Sequence, residues 1–135
     1  MPSKPVIKSF LIADSVIQEK GSNKWSAIGI FDRIYTHNFP FLHANTALYI
    51  KLADAEGEYE LKIEFVDSSG RKLGIFEGIK LKVLSKLDTP DFGIKTQNLF
   101  IPASGKYHFD LYFNNQHCAN IPLIVEEIKG AKWNI

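Results

Sequence analysis

The sequence predicts an all-β domain, a sandwich of about seven to nine short antiparallel strands. The main observation is an alternation of apolar and charged residues with a period of two, which is clearest at residues 58–65. In a strand, this pattern places the apolar side chains on one face and the charged side chains on the other. Turn-forming residues separate the alternating segments at hairpin spacing, and no segment shows the periodicity of an amphipathic helix.

The other strands follow from the same pattern. Regular alternation predicts strands at 48–52, 79–83, 107–113 and 119–125. Less regular strand-like segments lie at 10–16, 25–32 and 99–101. Turns are predicted at 20–23, 55–57, 67–70 and 114–115. These turns are rich in Gly, Asn, Asp and Ser, which accept tight or left-handed backbone conformations.

Two local features refine the architecture. The segment Gly105-Lys106-Tyr107 resembles the start of a late strand in many immunoglobulin-like domains, where the Tyr hydroxyl ties a corner together. Pro122 has no N–H group to donate to a ladder, so the last strand is expected to lie at a sheet edge or to carry a bulge there. The expected fold is therefore an immunoglobulin-like sandwich.

Length and composition indicate one globular domain. The chain of 135 residues is expected to form a single domain over 1–135, with a core of roughly 6–128 and a C-terminal tail at 129–135. The formal net charge of +1 argues against binding to nucleic acid or to an anionic membrane. The single cysteine excludes an intramolecular disulfide, and no signal peptide or membrane-spanning segment is evident. A cytoplasmic location is expected.

An ordered set of motifs runs through most of the chain: Ala13-Asp14, Gly29-Ile30-Phe31-Asp32, Phe39-Pro40, Gly105-Lys106-Tyr107-His108-Phe109 and Pro122-Leu123-Ile124-Val125. Over residues 8–126, this set resembles an uncharacterised bacterial family of β-sandwich domains. The resemblance implies the same fold. It implies no activity, and it supplies no functional residue to carry over.

The sequence predicts no enzymatic activity, no cofactor and no metal. It lacks a nucleotide-binding, phosphate-binding or nucleophile motif. Asp14 and Asp32 interrupt apolar segments, and they are interpreted as acceptors for backbone amides at strand ends. His117 and Cys118 are adjacent, so in a strand they face opposite ways and do not share a metal or form a nucleophile pair. The four histidines show no zinc-binding spacing.

One candidate binding surface is the aromatic and polar segment 35–43. Its aromatic rings offer rigid contact area, and its imidazole and amide groups add hydrogen bonds. The residues proposed for recognition are Tyr35, His37, Asn38, Phe39, Phe41 and His43. The alternative is that Phe39 and Phe41 close one end of the sandwich as packing residues.

A second candidate surface is an outward aromatic face formed by Tyr49 and Tyr112. Phe76 is a further candidate, but Gly74 and Gly78 suggest a bulge that leaves its direction open. Exposed aromatic rings on neighbouring strands could stack on a sugar or contact another subunit. The alternative is that a loop or a terminus, such as the C-terminal segment 128–135, covers these rings.

Three functions are compatible with these observations. The leading hypothesis is a non-catalytic binding module that acts through a protein partner or through homo-oligomerisation. The second is a β-sandwich that binds a carbohydrate or another small ligand on the tyrosine face. The third is an enzyme with a dispersed site built from Asp14, Asp32 or the histidines.

Overall fold

The computed structural model describes residues 4–128, which form nine β-strands. The strands are β1 Val6–Gln18, β2 Trp25–Ile30, β3 Arg33–Thr36, β4 Phe41–Ala53, β5 Gly57–Val66, β6 Lys72–Val83, β7 Asp91–Ile101, β8 Gly105–Phe113 and β9 Gln116–Glu127. The tail predicted at 129–135 lies outside the described residues. Within residues 4–128, no helix has the length and apolar character needed to cross a membrane.

The strands form two sheets, which confirms the predicted immunoglobulin-like sandwich. Sheet A has the order β2-β1-β4-β7, and sheet B has the order β3-β9-β8-β5-β6. All pairs are antiparallel except β3 with β9, which is parallel. Several strands are longer than the alternating segments that predicted them. For example, β1 and β4 each have 13 residues.

The main core lies between the sheets and follows the predicted alternation. Tyr59, Leu61, Ile63 and Phe65 of β5 are all buried. The ring of Phe65 lies 4.9 Å from that of Phe109 on the paired strand β8. Such aromatic cross-strand contacts stabilise a sheet beyond the area they bury.

The corner before β8 has the predicted tyrosine arrangement. The Tyr107 hydroxyl donates to the Ala103 carbonyl at 2.5 Å and accepts from the Ala103 amide at 3.3 Å. The ring itself is buried and stacks on Phe65 at 5.4 Å. The turn after β8 is also as predicted, because Asn114 and Asn115 both have positive φ.

The expected edge at Pro122 is confirmed. Pro122 lies opposite His108 of β8, whereas β3 pairs with β9 only from Ile124 onward. In the part of the chain that the structure describes, no strand pairs with the other side of β9 at Pro122. The missing N–H group therefore costs no ladder hydrogen bond.

A second, smaller core lies on the outer face of sheet A. β1 pairs with β4 only up to Ala13, and beyond that point it pairs with β2. Val16 and Trp25 of the β1–β2 hairpin then lie over Gly93 of β7, so closely that a Cβ atom there would be 2.5 and 2.7 Å from them. The hairpin thus covers part of the outer face, and Ala47 beneath it is buried.

The departure of β1 leaves part of β4 with a free edge. Residues 41–46 of β4 pair with β7 on one side, and no strand among residues 4–128 pairs with them on the other. This stretch begins within the segment 35–43, which was predicted from the sequence to be a recognition surface.

Candidate functional site

The predicted surface at 35–43 is divided between packing and exposed residues. Phe39 and Phe41 pack against the main core, as the alternative interpretation held. Asn38 is exposed, and the exposed His37 has its Nδ1 atom 3.2 Å from the Ile128 carbonyl oxygen. Tyr35 is 43% exposed. The aromatic members therefore do not form one continuous contact surface.

His43, near the start of β4, is partly buried. Its ring makes edge contacts with Phe31 at 5.7 Å and with Phe41 at 5.8 Å. Burial lowers the pKa of His43, while a hydrogen bond with the Asn45 backbone and the charge of Asp14 oppose this shift. Its Nε2 atom is buried and has no hydrogen-bond partner among the described residues. The imidazole is therefore neutral at neutral pH.

Asp14 and Asp32 are both exposed, and among residues 4–128 no backbone amide donates a hydrogen bond to either carboxylate, contrary to the interpretation from the sequence. The Asp14 carboxylate lies against Gly29, where a Cβ atom would be 2.3 Å from Oδ2. Gly29 has φ of 70°, a conformation that also favours glycine. The backbone of Asp32 links the chain to β9, because its carbonyl oxygen accepts a hydrogen bond from the Ile124 amide at 2.9 Å.

Large apolar side chains are exposed around the free edge of β4. Leu42 is 57% exposed and lies opposite Phe100 of β7, which is 43% exposed. Ile30, 63% exposed, and Tyr35 line a groove of about 340 Å³ together with His43. Leu42 and His43 are neighbours in a strand and point to opposite faces, so the Leu42–Phe100 pair and the Ile30–Tyr35 groove flank the free edge on two faces. We call Ile30, Tyr35, Leu42 and Phe100 the β4 edge patch.

Leu42 and Phe100 were not predicted to be exposed because the alternation of inward and outward positions changes phase along β4 and β7. Leu48 is buried at an even position of β4, whereas Leu42, also even, faces outward. On β7 the change occurs at Asn98, which has φ of 53° and lies between the buried Thr96 and the buried Leu99. A left-handed asparagine is the one local signal that indicates such a change.

The predicted tyrosine face does not exist as one surface. Tyr49 lies on β4 in sheet A and Tyr112 on β8 in sheet B, so the two rings belong to opposite sheets. Phe76 lies opposite the buried Ile63 and packs against the main core, so it faces inward and is not part of this face. A register shift between Leu61 and Ile63 marks the irregularity in the β5–β6 pairing that accompanies this inward direction.

Each tyrosine has its own surroundings. The β1–β2 hairpin packs against Tyr49, whose hydroxyl donates to Asp91 at 2.5 Å. Burial, followed by the interaction with Asp91, raises the pKa of Tyr49 to about 12. Tyr112 lies under the Lys62 ammonium, 4.6 Å from its ring centre. The segment that covers Tyr49 is therefore the β1–β2 hairpin. The C-terminal segment 128–135, which was the predicted cover, lies outside the described residues except for Ile128.

A cluster of histidines was not predicted. His108 and His117 place their Nε2 atoms 3.1 and 2.9 Å from the two carboxylate oxygens of Asp110. The alternation on β8 puts His108 and Asp110 on one face, but the position of His117 depends on a register shift after Leu111. Cys118 packs against the core and thus faces away from His117, as expected. Among residues 4–128, no group of three or more His, Cys, Asp or Glu side chains could hold a metal ion.

The chain was compared with solved structures, with curated proteins and with models of protein families. Among solved structures, the chain is similar to an immunoglobulin-like protein from Pseudomonas aeruginosa, with 14% sequence identity and a TM-score of 0.44. The alignment covers 92% of this chain and 98% of that one. A search among curated proteins finds no match. A family model matches residues 8–126, and the chain therefore belongs to a family of unknown function, DUF6941.

Proposed function

We propose that the protein is a non-catalytic interaction module that binds another protein through the β4 edge patch. The observation that carries this proposal is the coincidence of a free strand edge at 41–46 with four exposed apolar side chains. A free edge offers unpaired backbone groups, and apolar side chains beside it supply the hydrophobic part of an interface.

The energetic argument favours a protein partner. Complete burial of an Ile, Leu or Phe side chain contributes about 1.5–3 kcal/mol, so the paired Leu42 and Phe100 can supply the apolar centre of an interface. Natural sandwiches usually block such edges with proline or lysine. The segment 41–46 contains neither residue. The same features fit a second copy of the chain, which is the other partner that we consider.

The test combines light scattering with site-specific photocrosslinking. A photoreactive phenylalanine analogue at position 42 is expected to crosslink a partner protein in its native cell, and the Phe100→Ser change is expected to abolish that crosslink. The matched control is the same analogue at Leu84, which is 76% exposed but lies in the β6–β7 connection. Binding of the purified partner is then measured by calorimetry.

Two outcomes would contradict the proposal: equal crosslinking from positions 42 and 84, or purified partner binding that survives the change at Phe100. Light scattering separates the two kinds of partner. A dimer that dissociates on Leu42→Ser would identify the partner as a second copy of this chain.

The proposal includes the absence of catalysis and a cytoplasmic location in a bacterial cell. The His108–Asp110–His117 cluster is the best candidate for a catalytic group, and it lies on the outward face of sheet B. An enzyme needs such groups beside a cleft that holds substrate and excludes water. Neither nucleic acid nor a membrane is proposed as a partner, because the net charge is close to zero.

A further inference from the structure

A groove of about 550 Å³ lies on the outer face of sheet A, between the start of the β1–β2 hairpin and strands β4 and β7. We call it the outer groove. It borders the β4 edge patch and shares Asp14 with the groove beside it, but its lining residues are mostly polar. The residues that matter here are Asp14, Asn45, Thr46, Lys95, Gln97 and Asn98.

The outer groove contains two charges of opposite sign without protein partners. Among residues 4–128, neither Asp14 nor Lys95 forms an ion pair, and the two do not pair with each other although they line the same groove. The nearby His43 is neutral at neutral pH, so it does not compensate the Asp14 charge. The groove therefore presents one uncompensated carboxylate and one uncompensated ammonium.

Uncharged polar groups complete the lining. Thr46 is only 2% exposed, and its Oγ1 atom has no hydrogen-bond partner among the described residues. Buried hydroxyls normally have a partner, so this one marks an unsatisfied position. Ala44 and Asn98 interrupt the regular pairing of β4 with β7, and the backbone of Asn98 has a left-handed conformation. Side-chain amides of Asn45, Gln97 and Asn98 surround this interruption.

We propose that the outer groove binds a small zwitterionic ligand of the peptide class, an α-amino acid or a short peptide with free ends. The ligand ammonium binds to Asp14, the ligand carboxylate binds to Lys95, and the amides of Asn45 and Gln97 bind its peptide groups. A sugar fits less well, because none of the groove-lining residues is aromatic and a sugar ring normally uses an aromatic platform. This inference does not depend on the proposed protein partner.

The experiment is an NMR titration of the ¹⁵N-labelled protein with triglycine. Triglycine is expected to shift the side-chain amide signals of Asn45, Gln97 and Asn98. Acetylation of its amino end, or amidation of its carboxyl end, is expected to weaken binding about tenfold or more, because each removes one charge-assisted contact.

Variants assign each end of the ligand to one residue. In Asp14→Asn, acetylation of triglycine is expected to have no further effect, while amidation still weakens binding. In Lys95→Gln, the dependence is reversed. Asp88→Asn and Lys106→Gln are matched charge controls outside the groove and are expected to bind as the unmodified protein does. The same spectra show that each variant is folded.

Three results would overturn the inference. The first is equal binding of triglycine with free and with blocked ends. The second is a response of the three amides to glucose but not to triglycine. The third is the absence of any shift at these amides at millimolar triglycine.

Discussion

The packing of the β1–β2 hairpin against sheet A can be tested by adding one methyl group at Gly93. In Gly93→Ala, the new Cβ atom would lie 2.5 Å from Val16 Cγ2 and 2.7 Å from Trp25 Cζ3. Ordinary carbon contacts are about 3.5–4.0 Å, so the hairpin has to move outward by roughly 1 Å. Overpacking of this kind typically costs about 1–3 kcal/mol. We therefore expect the free energy of unfolding to fall by about that amount.

The assay is urea unfolding, with tryptophan fluorescence recorded in a Trp133→Phe background so that Trp25 alone reports on the hairpin. Gly74→Ala is the matched control, because the nearest atom to a Cβ there is Phe65 Cβ at an ordinary 3.8 Å. That variant is expected to be as stable as the parent or more stable by up to about 1 kcal/mol, since alanine restricts the unfolded chain. Equal stabilities of the Gly93→Ala and Gly74→Ala variants would refute the packing of the hairpin over Gly93.

Two further predictions concern the core and pH. Tyr107→Phe keeps the buried ring but removes both hydrogen bonds of the hydroxyl, so the free energy of unfolding in urea is expected to fall by about 1–1.5 kcal/mol. Ser104→Ala is the control, and a Tyr107→Phe variant as stable as the parent would contradict a stabilising role of these hydrogen bonds. Burial alone would raise the pKa of Glu64, but hydrogen bonds from Lys72 and Tyr112, with the nearby lysine charges, lower it below its ordinary value of 4.5. Because the folded-state pKa is lowered, this contribution is present above 4.5 and is lost as the pH falls further. Urea unfolding between about pH 6 and 3 should therefore be less pH-dependent in Glu64→Gln, and equal slopes would contradict the network.

Local patterns in the sequence were sufficient to predict the fold. The alternation over 58–65 identified β5 and its buried face because side-chain direction in a strand depends only on position. The turn at Asn114-Asn115 and the corner at Tyr107 were predictable for the same reason, since each depends on a few adjacent residues. The family resemblance over 8–126 is also confirmed.

The binding surfaces were less predictable because they depend on which strands become neighbours. Tyr49 and Tyr112 both face away from the main core, but only the pairing of β4 with β7 and of β8 with β5 places them in opposite sheets. Leu42 fits the buried phase of β4 and is exposed only because the phase changes near Asn98. A one-residue change of phase reverses every side chain beyond it, and its local signal here is the single residue Asn98.

The path of β1 links the two proposed surfaces. By leaving β4 at Ala13, β1 creates both the free edge at 41–46 and one wall of the outer groove. Asp14 lies at this point of departure and lines both the outer groove and the groove beside the edge patch. Gly29 provides the space for its carboxylate, and Phe31 continues the chain toward β3 with its amide bound to the Ile12 carbonyl at 2.9 Å. The Ala-Asp and Gly-x-Phe motifs therefore lie at the point where β1 leaves β4, and both candidate binding surfaces are consequences of that departure.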